Sequence, residues 1–461
     1  MEEKYKKDNY MLRIVETKLG KIQGLPAADP RITSFKGIPF AKPPVGNLRF
    51  HAPVPVEKWD GVLKAFDFGP ISVQPTPNYD PNDLYCREWS VDENIAMSED
   101  SLYLNVWTPA KKADEKLPVY IWIYGGGFQT GFTAEMEFDG ERIARRGIVV
   151  VTVAYRLNMF GFMCHPEITA ENPDAPANFG LLDQRMAMQW VKDNIEAFGG
   201  DADNITIGGQ SAGGGSVMNQ ILHGTKGIFK RAVCHSGMFY MPGNNIMNPR
   251  TLADAEKLGE DFFKFCGAKS LADMRKFTTA ELRKKWDEYG GFGKSIATWL
   301  PVKDDRFIKN ELFEAFNKNE LDYVPLITGF TTDEFRYVPE GMDKDSASIS
   351  AIEIAIKTYL EKAKENGVKC PTYTYQFDVE IPGWDNPGKF HSVDLWFWFE
   401  TLAKCWRPFT GKWYDVSRQM CNYLCNFIKN GDPNGNDCDG IPMEKWEPST
   451  ADNQKNIVFR V

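Results

Sequence analysis

The chain has 461 residues, 43% of them apolar and 13% aromatic, enough for a large core, and its 63 acidic against 54 basic side chains leave a net charge of −9. That acidic balance argues against nucleic acid or an anionic membrane surface as a partner. No run of 18 apolar residues occurs, and residues 1–9 offer no apolar core of a signal peptide, so neither a transmembrane helix nor a leader is expected.

In chain order, residues 11–70 read as an antiparallel start, with a weakly alternating run over 15–23 and a second over 33–38. Residues 35–50 hold three prolines and form a fixed loop, and 70–98 are polar and irregular, predicting a long loop. Strands are predicted over 102–107, 117–124 and 148–155; the last two are apolar on both faces and so central in a sheet. The spacing of Leu182, Met186 and Trp190, and of Val191 and Ile195, predicts a helix over 182–198 that stops at Gly199-Gly200. A strand at Ile205–Ile207 leads into Gly209-Gln210-Ser211-Ala212-Gly213, and a helix-compatible run follows from Val217. Further strands are expected at 232–234, 324–329 and 372–377, with helices over 394–405 and 416–429. Charge-rich helix formers fill 245–320. Alternating strands and helices imply a mostly parallel sheet covered on both faces. With no repeat or hinge-like linker, residues 1–461 read as one α/β domain with helical insertions near 245–320 and 340–370.

The pentapeptide around Ser211 has the G-x-S-x-G pattern, a sharp strand-to-helix turn that exposes a serine at its apex. No Lys-Ser/Thr follows, which disfavours a phosphate loop. A serine hydroxyl needs a general base, and the chain offers five histidines: His51, His165, His223, His235 and His391. His391 suits the chain order serine, acid, histidine that accompanies such an elbow; His235 is the alternative, though it leaves little chain for an acid in between. Gly125-Gly126-Gly127, after a central strand, can aim two backbone N–H groups at one point, and Ala212, after the serine, a third, as an oxyanion hole. The nine cysteines contain no C-x-x-C pair and read as reduced thiols in a cytoplasmic protein, with Cys421 and Cys425 as packing residues. No cofactor or metal is expected.

Several segments together resemble the type-B carboxylesterases, the family of bacterial para-nitrobenzyl esterases and cholinesterases. They are the 35–46 run Phe-Lys-Gly-Ile-Pro-Phe-Ala-Lys-Pro-Pro-Val-Gly, Ser-Glu-Asp-Ser-Leu-Tyr-Leu-Asn-Val-Trp over 98–107, and Tyr124-Gly-Gly-Gly-Phe128. Tyr155-Arg-Leu-Asn, the 178–195 helix and Gly209-Gln-Ser-Ala-Gly-Gly continue the likeness, with thinner matches at 329–334 and 390–395. The resemblance implies an α/β-hydrolase fold and hydrolysis of small-molecule esters through an acyl-enzyme. Ser211 resembles the nucleophile, Glu334 the acid and His391 the base, with Gly126, Gly127 and Ala212 as oxyanion donors. It further implies that Glu334, rather than Asp333, faces the histidine, and that Arg49 pairs with Glu99 and Arg156 with Asp183; Ser236, just past the 232–234 strand, is the candidate for a supporting donor to Glu334. Tyr124 stands where the family often has histidine, and Ser101 where secreted members have a cysteine, so the disulfide expected there for Cys86 cannot form. An aromatic wall of Phe128, Trp384, Trp396, Phe397 and Phe399 is expected above Ser211. The absence of an apolar lid pattern between 240 and 320 suggests short-chain or aromatic esters. The alternative function is a non-catalytic binding protein on the same fold.

Overall fold

The β-branched and aromatic runs of this chain pair into a ten-stranded sheet. In this computed structural model the described residues are 11–77, 80, 82–89, 92–238, 249–295, 298–334 and 349–461. The sheet strands are β1 (Leu25–Pro26), β2 (Thr33–Pro39), β3 (Tyr103–Thr108), β4 (Leu117–Ile123), β5 (Val149–Val153), β6 (Gly200–Gln210), β7 (Arg231–His235), β8 (Leu326–Thr331), β9 (Thr372–Phe377) and β10 (Asn456–Phe459). Their spatial order is β10-β9-β8-β7-β6-β4-β5-β3-β2-β1. From β5 to β10 every pairing is parallel, and β1, β2 and β3 add antiparallel strands at one edge. Strands β4 and β5 are apolar on both faces because helices cover both.

Six helices matter for the site: α1 (Leu84–Trp89), α2 (Phe179–Asn194), α3 (Ala212–His223), α4 (Leu252–Cys266), α5 (Leu395–Trp398) and α6 (Gly411–Asn430). Helix α2 starts three residues before its predicted first turn, then tightens into a 3-10 turn over 195–198 that ends at Gly199 with φ 80°. Helix α1 lies inside the stretch predicted to be loop. The helix predicted over 394–405 is one turn, because Glu400 adopts φ 54° and breaks it. The 245–320 insertion is mostly helical where described, with α4 followed by helices over 271–276, 279–288, 291–295 and 312–318 and one short parallel pairing of 250–251 with 302–303; a helix over 349–365 falls in the second insertion. Residues 239–248 and 335–348 of those insertions lie outside the described residues. No described helix is long and apolar enough to cross a membrane, and the nine cysteines form no disulfide.

Two buried ion pairs brace the N-terminal half. Arg49 donates to Glu99 through Nε and Nη2, both at 2.7 Å, and Thr279 adds a hydroxyl donor to the same carboxylate at 2.6 Å. Arg156 donates through Nε and Nη2 to Asp183 at 2.8 and 2.7 Å, and its own backbone N–H reaches the same carboxylate at 3.0 Å. Both pairs are those the sequence predicts. Each carboxylate is removed from water, so its stability rests on these donors. Asp183→Asn is therefore expected to lower unfolding free energy by about 3–5 kcal/mol, read as a fall in urea midpoint. Glu196→Gln, at the exposed pair with Lys116, should cost less than about 1 kcal/mol.

Candidate active site

Ser211 sits between β6 and α3 with φ 55° and ψ −125°, a conformation that costs a non-glycine residue free energy and needs its surroundings to hold it. The surroundings do so by close approach. A Cβ on Gly209 would lie 2.3 Å from the carbonyl oxygen of Gly213, and one on Gly213 would lie 2.1 Å from that of Ile123. Only glycine lets the elbow close against both its own helix and the neighbouring strand β4. The N–H of Ser211 donates to the carbonyl of His235 at 3.0 Å, which pins the turn to β7.

Glu334 and His391 come from the loops that follow β8 and β9, at the same ends of the strands as Ser211. The two loops zip together. Asp333 N–H donates to the Lys389 carbonyl at 3.1 Å, and His391 N–H donates to the Glu334 carbonyl at 2.9 Å, with Asp333 bridging Phe390 in parallel register. That register turns neighbouring side chains opposite ways. The Asp333 carboxylate accepts the Lys389 N–H at 2.8 Å, whereas Oε2 of Glu334 contacts Nδ1 of His391 in a short hydrogen bond. Oε1 of Glu334 accepts from Ser236 Oγ at 2.5 Å and from the Thr331 N–H at 2.7 Å. The buried carboxylate is thus fully supplied with donors, Ser236 among them.

The other four histidines are occupied elsewhere. His235 is buried in the sheet with Nδ1 2.9 Å from the Tyr375 hydroxyl, and burial pushes its ring down to about 3, leaving it neutral. His165 caps the helix over 166–171 and stacks on Phe263. His223 stacks on Phe307, and Nδ1 of His51 lies 2.7 Å from the Ala52 carbonyl oxygen.

Ser211 and His391 open onto a cavity of about 890 Å³, also lined by Gly126, Gly127 and Ala212. Gly126 has φ 102° and Gly127 φ 62°. A Cβ on Gly126 would sit 2.2 Å from the Thr130 carbonyl oxygen, so the loop closes as tightly as it does only with glycine. Tyr124, in the place of the family's common histidine, braces this loop by stacking on Tyr155 at 4.6 Å, and the Tyr155 hydroxyl donates to the Tyr124 carbonyl at 2.9 Å. Burial raises both phenols above their ordinary range.

The aromatic wall differs from expectation. Of the five predicted residues only Phe128 lines the cavity. Trp396, Phe397 and Phe399 are fully buried in the core, and Trp384 is 76% exposed with Arg87 over its ring. Of the segment from 395 to 399 only Leu395 reaches the cavity; Trp396, Phe397 and Phe399 turn into the core. The wall is instead built by Tyr85 and Trp89 of α1, Phe132 and Phe138 after the glycine loop, and Phe292, Leu300 and Leu312 from the 245–320 insertion. Glu135 and Glu137 also line it; their carboxyls share a hydrogen bond, and burial raises both above the usual carboxylate range. Helix α1 is clamped from behind. Glu88 accepts from Arg407 Nε at 2.9 Å and from Trp396 and Trp406, while Arg407 and Arg87 both donate to Asp385. None of these polar residues carried a signal in the sequence; α1 is too short and polar to show a periodic pattern.

A scan against family models matches the carboxylesterase family over residues 12–366 and 351–460. The chain is 34% identical to the para-nitrobenzyl esterase of Bacillus subtilis over 398 residues, covering 85% of this chain and 75% of that protein. The chain belongs to the carboxylesterase family. This carboxylesterase is also 38% identical to the acetylcholinesterase of Bungarus fasciatus, across 91% of this chain and 78% of that one. Among solved structures, para-nitrobenzyl esterase superposes with a TM-score of 0.81 at 27% identity, covering 97% of this chain and 96% of that one. A carboxylesterase of Geobacillus stearothermophilus superposes at 0.75 and 29%, with the same coverage. The fold is that of the α/β-hydrolases, and the carboxylesterase is an ester hydrolase rather than the binding protein of the alternative reading.

Behind the site, Asp394 is buried, accepting from the Tyr375 hydroxyl at 2.9 Å and from Trp398 Nε1 at 3.2 Å. Burial, followed by the neighbouring charge of Glu334, pushes it up to about 6 from 3.8. The folded carboxylesterase therefore holds this proton more tightly than the unfolded chain does. Stability falls as pH rises between those two values, and above about 6 the loss amounts to about 3 kcal/mol. Asp394→Asn should remove that component: its urea midpoint relative to wild type should rise between pH 4 and pH 7.5.

Proposed function

We propose that this carboxylesterase cleaves short-chain or aromatic esters through a Ser211–His391–Glu334 triad and an acyl-enzyme. The observation that carries the reading is the Glu334–His391 hydrogen bond at the wall of a cavity whose floor holds Ser211 at a strained elbow.

His391 Nε2 takes the proton of Ser211 as Oγ attacks the ester carbonyl carbon. The carbonyl oxygen becomes an oxyanion and is met by the N–H groups of Gly126, Gly127 and Ala212, which need no reorganisation because the glycine loop and the start of α3 are already set. The imidazolium that forms is stabilised by Glu334, whose carboxylate is held in place by Ser236 and the Thr331 N–H. The same proton then goes to the departing alkoxide as the tetrahedral carbon collapses to the acyl-enzyme. Water repeats the attack, with His391 again taking a proton, and releases the acid. An apolar wall excludes water from the developing charges and strengthens these interactions.

The triad assignment is tested by three variants. Ser211→Ala should lower turnover by up to about a million-fold, and Glu334→Gln by about ten-thousand-fold, because the imidazole loses its orienting carboxylate. Asp333→Asn should stay within about tenfold, since Asp333 contacts the backbone of the histidine loop and not the ring. Turnover surviving in Ser211→Ala, or a larger loss at Asp333 than at Glu334, would sink the assignment.

The substrate range rests on the wall. Rings of Tyr85, Trp89, Phe128, Phe132 and Phe138 suit a compact or aromatic group, and α4 presents Asp254, Lys257, Glu260, Asp261 and Lys264 to solvent rather than a continuous apolar docking face. On a series of para-nitrophenyl esters, kcat/KM should peak at short acyl chains and be about tenfold or more lower for palmitate than for butyrate. A steady rise toward palmitate would contradict this reading.

A further inference from the structure

Gln210 is the last residue of β6, directly before Ser211, and its side chain is buried. Its amide nitrogen lies 3.2 Å from Nε2 of His391, while Nδ1 of the same ring meets Glu334. Its Oε1 faces the other way, 3.0 Å from where a Cβ on Gly125 would stand. The carboxamide is wedged between the glycine loop and the imidazole. An amide NH2 group can only donate, so Nε2 accepts in this contact. A neutral imidazole has one N–H and one lone pair. With Nδ1–H given to the Glu334 carboxylate, the lone pair lies on Nε2, where a general base needs it.

We propose that Gln210 is a positioning residue that holds His391 in the neutral, Nε2-accepting tautomer until Ser211 and an ester claim the lone pair. The inference rests on the reading of His391 as the base. A resting imidazolium would point an N–H at the N–H groups of Gln210, an arrangement the contact disfavours. The charged neighbours work in the opposite direction. Glu334, from the loop after β8, and Asp394, from the segment that carries His391, both favour the imidazolium, and Glu135 and Glu137 line the same cavity. Of these neighbours only Gln210 favours the unprotonated base.

The test is the acid limb of the kcat/KM–pH profile, a property that a purely structural role of Gln210 would not move. Gln210→Met keeps the length and removes the donor, and should shift the limb upward by about half to one pH unit. Gln210→Glu places an acceptor against Nε2 and should shift it further, by about one to three units. An acid limb that stays in place or moves down in Gln210→Met overturns the proposal. Should that variant fail to fold by circular dichroism, Gln210→Glu carries the test under the same rule. His391→Ala separates the two readings: if it keeps turnover, the base assignment fails, and if it loses turnover while the limb of Gln210→Met stays put, the Gln210 proposal alone fails.

Discussion

The contact of Gly209 with Gly213, and of Gly213 with the end of β4, sets the distance between the Ser211 elbow and the strand beside it. Each glycine stands where a Cβ would lie within 2.3 Å of a backbone carbonyl oxygen. Because the chain can approach this closely, α3 begins directly beneath the point where β4 turns into Gly125–Gly127. One approach therefore places three things: the Ser211 hydroxyl, the Ala212 N–H at the head of α3, and the glycine loop facing both. The parallel pairing of β4, β6, β7, β8 and β9 then brings the loops carrying Glu334 and His391 to the same end of the sheet.

Around this elbow the buried charges fall into two groups, distinguished by how well they are supplied with donors. Asp183, Glu99, Glu88 and Glu334 each collect several, most of them from arginines or backbone N–H groups, and each ties together segments far apart in sequence. Among the described residues Asp394 and the Glu135–Glu137 pair have no arginine partner, and burial raises all three, as it does Glu88, above the usual carboxylate range. The first group braces the structure. The second lies beside or behind the cavity, where a carboxyl that changes charge in a moderate pH range alters the field on the site.

The central strands were legible because both their faces are apolar, and the elbow because its glycines punctuate the chain at fixed spacing. The choice of Glu334 over Asp333 came from family resemblance; composition offers two adjacent acids, and only the parallel bridge between Asp333 and Phe390 shows why one turns away. The aromatic wall was misread for a physical reason. The run Leu395–Phe399 is apolar at every position, so no pattern tells a core side chain from a cavity one, and only Leu395 of the five reaches the cavity. The residues that do form the wall come from α1, from the loop after the glycines and from the helical insertion, segments whose proximity depends on tertiary packing. Gln210 occupies a variable position of its motif, so no pattern marks it; its role follows from a single contact with His391.

The proposed mechanism turns on covalent acylation of Ser211. The direct measurement is rapid-mixing hydrolysis of para-nitrophenyl acetate with intact-protein and peptide mass spectrometry of the acid-quenched reaction. A burst of about one para-nitrophenolate per chain, with an acetyl mass on the peptide containing Ser211, is the predicted result. Steady turnover without a covalent adduct, or an adduct confined to a different residue, would contradict it.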